Sequence, residues 1–166
     1  MNKTNVTVVI IIILVMSGII WFTQPDSKKN DPVSVSSGGT LIADGDSSYD
    51  FGTISMAKGK VSYIFKIKNT GTEAVTVRKL YTSCMCTTAS LIIAGGQQFG
   101  PYGMPSMSFI PEIDQVMSPA EEGTVEVIFD PAAHGPAGVG KIQRTVTVEN
   151  NAENPVLFSF SAFVTP

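Results

Sequence analysis

From Tyr49 onward the chain alternates apolar and polar positions in short runs set apart by turn residues. Val61, Tyr63, Phe65 and Ile67 alternate with Ser62, Lys66 and Lys68, with Ile64 the exception. Val146 and Val148 alternate with Thr145, Thr147 and Glu149, and Phe158, Phe160, Ala162 and Val164 with Ser159 and Ser161. A period of two puts one apolar face toward a core and leaves the other wet. Together with the β-branched and aromatic content, it predicts strands over Tyr49–Ile54, Val61–Lys68, Val75–Thr82, Thr124–Phe129, Ile142–Glu149 and Val156–Val164. Asn69–Thr72 and Asn150–Pro155 read as turns. Short turns between neighbouring strands make those neighbours antiparallel, and the expected fold is an all-β, antiparallel sandwich of two sheets packed face to face.

The pattern is interrupted once. Between Gly95 and Glu122 the chain carries Gly95, Gly96, Gly100, Pro101, Gly103, Pro105, Pro111 and Pro119, too much Gly and Pro for a central strand. This stretch, about 95–122, is expected to be a long excursion from the sandwich, and loops of that length tend to be functional or disordered. Met104, Met107, Phe109, Ile113, Val116 and Met117 argue that it is covered in part, since a bare tail of that composition would be sticky.

Ahead of the alternating region the hydropathy changes twice. Val6 to Phe22 holds no charge and approaches the roughly 20 apolar residues that an α-helix needs to cross a bilayer. It ends in Ile19, Ile20, Trp21 and Phe22 rather than in small residues, so it reads as an anchor with Trp21 at headgroup depth, the alternative being a cleaved signal peptide. Pro25 to Gly39 is Ser-, Asp-, Lys-, Pro- and Gly-rich with almost nothing to bury, which predicts a flexible tether. The expected organisation is a membrane anchor at 1–24, a linker at 25–46 and one sandwich at 47–166. A short head before the anchor and a folded domain after it predict a single-pass protein of the cell membrane with its C-terminal domain outside the cytoplasm. The formal net charge is −3, and Lys and Arg are not clustered, which argues against a nucleic-acid surface.

Candidate chemistry is sparse. Cys84 and Cys86 are the two cysteines, so they bond to each other, bind something together or stay free. In an extended strand their Cα atoms would lie about 6.5 Å apart on one face, at the far edge of what a disulfide accepts. Two thiolates on one face can instead chelate a soft metal such as copper(I), with Met85, Met104, Met107, Met117 or the sole histidine, His134, adding sulfur or imidazole. Buried Met and Cys also simply fill cores, and a loop His often faces solvent. No nucleophile elbow or paired acidic motif supports catalysis. Glu121 and Glu122, adjacent in sequence, would point to opposite faces of a strand and read as a solvated strand entrance.

Several of these stretches together resemble one family. Asp50–Ile54 (DFGTI), Phe65–Gly71 (FKIKNTG), Ser83–Thr88 (SCMCTT) and the strand with Val125, Val127, Phe129 and Asp130 are similar to the DUF1573 domain, with Met85 standing where that family usually has Gly. The resemblance covers roughly Ser47 to Val164. It implies an immunoglobulin-like fold related to the PapD-like and ASPM-SPD-2-Hydin groups, and no established activity. The functional expectation is therefore a non-enzymatic, membrane-tethered binding or structural module without a cofactor. Its protein partner would meet an exposed sheet edge or the 95–122 excursion. The alternative is a copper(I)-binding or thiol-redox protein with Cys84, Cys86, Met85 and His134 as its site.

Overall fold

The alternating runs become two five-stranded sheets in the computed structural model, which describes residues 38–93, 95–152 and 154–166. The strands are β1 (Leu41–Ala43), β2 (Ser48–Ser55), β3 (Val61–Asn69), β4 (Val75–Thr82), β5 (Thr87–Ile93), β6 (Gln98–Tyr102), β7 (Gln115–Met117), β8 (Glu122–Phe129), β9 (Gly140–Asn150) and β10 (Val156–Thr165). One sheet runs β1-β3-β8-β5-β6 and the other β2-β10-β9-β4-β7. All six expected strands are found, each within two residues of its expected bounds. The anchor at Val6–Phe22 and the linker up to residue 37 lie outside the described residues. Among the described residues, no helix is long and apolar enough to cross a membrane.

The alternation decides which face is buried. Phe65, Ile67, Val146, Val148, Phe158, Phe160, Ala162 and Val164 all lie in the core, while Ile64, the exception in β3, is exposed. Phe65 and Phe158 stack across the sheets with ring centroids 4.6 Å apart. Offset aromatic contacts of this kind add to the area that each ring buries. A second series, Tyr63–Tyr49–Phe51–Phe160, closes the margin where β2 meets β3.

Four features depart from the expected plan. The sandwich is not wholly antiparallel, because β2 joins β10 in parallel, Tyr49 facing Phe160, with a register shift between Ser161 and Phe163. Turn signals specify neighbours in sequence and say nothing of strands that meet across the whole domain. The linker expected at 25–46 contains β1, which pairs with β3 and buries Leu41. Here Gly71 matters, since a Cβ on it would run into the Gly38 carbonyl and the Thr40 amide.

β5 is an addition to the expected strands: its sequence does not alternate, because Thr87 is polar where the strand is buried and Ile92 is apolar on the outward phase. Lastly, the excursion contributes two edge strands, β6 beside β5 and β7 beside β4. Pro101 sits in β6, at the edge of its sheet, where a missing N–H is tolerated.

Candidate functional site

Cys84 and Cys86 sit in the connection that leaves β4 in one sheet and enters β5 in the other. This is a turn rather than the extended strand considered from the sequence. It brings the Cα atoms to 5.3 Å, and the two sulfurs are joined in a disulfide. Met85 at its centre is not among the residues with positive φ, so the place usually held by Gly takes a side chain without strain. The turn is fastened by its backbone. Thr87 N donates to Cys84 O at 3.2 Å, Asp130 N to Cys86 O at 2.8 Å, and Ser83 N to Thr145 O at 2.9 Å. Beneath it the buried Thr82 hydroxyl lies 3.0 Å from the carbonyls of both Cys84 and Thr87.

Two further elements close around the sulfurs. The loop after β8 brings His134 Nε2 to 3.2 Å from Cys84 Sγ. β9 brings Arg144 Nε to 3.4 Å from Cys86 Sγ, where it donates. The Cys86 amide points at Cys84 Sγ at 3.4 Å, and the Thr87 hydroxyl lies 3.7 Å from Cys86 Sγ. Of the sequence candidates, Cys84, Cys86 and His134 thus come together, their ligand atoms all within 4.8 Å. Met85 is half exposed, Met107 is exposed, and Met117 lies in the core. Bonded to each other, the sulfurs offer no thiolate to a metal, and only the reduced pair with His134 would present three donors. Arg144 was not legible as a site residue. It shares the inward phase of β9 with buried Ile142, Val146 and Val148, so a charge in an apolar phase was the one available signal, and nothing in the spacing says that it reaches a sulfur 58 residues away.

After β6 the excursion passes beside this turn, where Thr82 N donates to Gly103 O at 3.0 Å. It then runs back along β4. Ile113 N donates to Arg78 O at 2.8 Å, Glu112 pairs with Lys79 at 3.9 Å, and β7 completes the edge. Between it and the sheet lies a groove of about 420 Å³, lined by Lys79, Tyr81, Pro105, Phe109, Ile110 and Glu149. The Tyr81 hydroxyl donates to Glu149 Oε1 at 2.9 Å. Partial burial, with the Glu149 carboxylate beside it, pushes the phenol above its ordinary value. Phe109 is 89% exposed and Met107 62%. Glu122, expected at a solvated strand entrance, accepts from Lys68 Nζ at 2.7 Å at the start of β8. That hydrogen bond holds the Glu122 carboxyl below its usual range and Lys68 above its own.

Fold and site define an immunoglobulin-like β-sandwich carrying a Cys-Met-Cys turn at one end. Residues 43–98 match the family described as protein of unknown function (DUF1573), a span that contains β2 to β5 and the Cys turn. The resemblance read from Asp50–Ile54, Phe65–Gly71 and Ser83–Thr88 falls inside it. Among solved structures, a protein of unknown function from Porphyromonas gingivalis W83 is similar at 13% identity and a TM-score of 0.56, over 81% of this chain and 51% of that one. The chain thus spans about half the length of that relative. A family 123 glycoside hydrolase from Clostridium perfringens is similar at 7% identity and a TM-score of 0.50, over 71% of this chain and 22% of its own. The ASH/PapD-like domain of human CEP192, at 16% identity over 78% of this chain and 87% of its own, has a TM-score of 0.43, too distant to argue from. At such identities the likeness speaks of fold alone. No curated protein matches the sequence.

Proposed function

We propose that the protein is a membrane-tethered binding module displayed outside the cytoplasm, which engages a protein partner through the excursion folded along β4. One observation carries the reading. Phe109 stands 89% exposed on the rim of a groove whose sheet side is formed by Lys79 and Tyr81 of β4 and Glu149 of β9. A bare aromatic beside a partly apolar groove fits the anchor-and-pocket form in which a few residues supply most of an interface's energy. The apolar run Val6–Phe22 supports the tether, and the polar stretch after it supports reach from the membrane.

Docking by strand addition at a sheet edge is less favoured. β1 and β7 are three residues long, β6 contains Pro101, and β2 turns at Gly52 with φ +67° beside the register shift in β10. Short, broken or proline-bearing edges resist pairing with another chain. The test is the size of the native complex formed by the full chain in detergent-solubilised membranes of its host. Wild type is expected in an assembly larger than its own mass, and Phe109→Ser with Met107→Ser is expected to release the monomer. A wild-type chain that migrates alone, or an assembly indifferent to the double substitution, would contradict the reading.

A further inference from the structure

We infer that Cys84 and Cys86 form a thiol–disulfide exchange site, whose substrate is a dithiol presented by another protein. The disulfide does little for the fold. It joins residues two apart, so it removes few conformations from the unfolded chain. The turn that holds it is already fastened by the hydrogen bonds of Cys84 O, Cys86 O and Ser83 N.

What surrounds the sulfurs suits the reduced state instead. The Cys86 amide and His134 Nε2 converge on Cys84 Sγ at 3.4 and 3.2 Å, and Arg144 Nε and the Thr87 hydroxyl on Cys86 Sγ at 3.4 and 3.7 Å. Sulfur in a disulfide is a feeble acceptor, whereas a thiolate accepts strongly, and most strongly from a charged donor. The two sulfurs are not equivalent. Cys84 is 9% exposed and Cys86 3%, so an incoming thiolate meets Cys84 first.

The exchange balances in two steps. A partner thiolate attacks Cys84 Sγ, the bond to Cys86 breaks, and its electron pair leaves on Cys86 Sγ, which accepts the Arg144 N–H. The second partner thiol, deprotonated, attacks its neighbour's sulfur in the mixed disulfide and expels Cys84 as a thiolate beside His134. The partner dithiol becomes a disulfide. Its two electrons pass to the cysteine pair, and its two protons pass through solvent to the new thiols. Stabilising the leaving thiolate speeds such exchange, which assigns Arg144 to the first step.

The probe is reduced dithiothreitol, applied without oxygen to the full chain in detergent micelles, with alkylation and intact mass as the readout. Reduction is expected at urea concentrations far below the unfolding transition. Arg144→Gln is expected to slow it at least tenfold with an unchanged melting temperature, and Arg144→Lys to restore part of the rate. Reduction only as the domain unfolds, or equal rates in wild type and Arg144→Gln, would overturn the site. A second measurement does not depend on Arg144. With oxidised glutathione as probe, Cys84 in Cys86→Ser is expected to be captured at least tenfold faster than Cys86 in Cys84→Ser. Equal capture, or the reverse order, would overturn the assignment of Cys84 as the attacked sulfur.

Discussion

The side-chain amide of Asn69 donates to the carbonyl of Met117 at 3.0 Å, tying the end of β3 to the end of β7 in the opposite sheet. The same buried side chain donates to Glu73 O at 2.8 Å, and its oxygen accepts from Gly71 N at 3.0 Å and Thr40 N at 3.3 Å. One residue thus satisfies the turn after β3, the entry to β1 and the close of the excursion. Asn69→Ala is expected to strip these groups of their partners and lower stability by about 3 kcal/mol, since unpaired buried polar groups cost ~1–3 kcal/mol each and some regain water. Urea unfolding reads this as a lower midpoint with an unchanged slope.

Reduction of the Cys84–Cys86 bond is expected to cost the fold little. A loop of about 15 residues stabilises by ~3 kcal/mol in the chain-entropy account, and one closed between residues two apart by less than about 2 kcal/mol. Urea unfolding of the oxidised and the reduced chain should therefore give midpoints that nearly coincide. A loss of 4 kcal/mol or more, on the order of what removing a native disulfide costs small secreted domains, would make the bond structural.

Tyr81 supplies a pH dependence. Its phenol is raised above the ordinary value near 10 first by burial and then by the Glu149 carboxylate. A raised acid is neutral in the fold where it would already be charged in the unfolded chain. Its contribution to stability is complete below about pH 10 and is lost as pH rises through the folded value. Spectroscopic titration of the phenol should show Tyr81 ionising late. In Glu149→Gln it should ionise earlier, though still later than free tyrosine, because burial is the larger cause. An unmoved titration in that variant would contradict the contact.

Legibility in the sequence followed exposure. β3, β9 and β10 were readable because Lys66, Thr147 and Ser159 face outward between Phe65, Val146 and Phe158, so burial and polarity alternate in register. β5 was not, because Thr87 is polar in the buried phase and Ile92 apolar in the outward one, so polarity and burial fall out of register. β7 escaped because Met117 buries within a three-residue strand, too short to show a period. At the site, the sequence named Cys84, Cys86 and His134 but left their relation open, for the loop bearing His134 meets the Cys turn only through the packing of β8 beside β5. Met85, named as a ligand candidate, is half exposed at the tip of the turn. Arg144 interrupts the apolar phase of Ile142, Val146 and Val148 and Thr87 opens β5, but only the fold aims them at sulfur.

If the excursion carries the contact surface, a photo-crosslinking amino acid placed there in the full chain within its host will capture the partner. The group at 109, where Phe109 is 89% exposed, is compared with one at 157, where Leu157 is 53% exposed on β10. A discrete adduct of one partner is expected from position 109 and none from 157. Equal adducts from both positions, or none from 109, would contradict it.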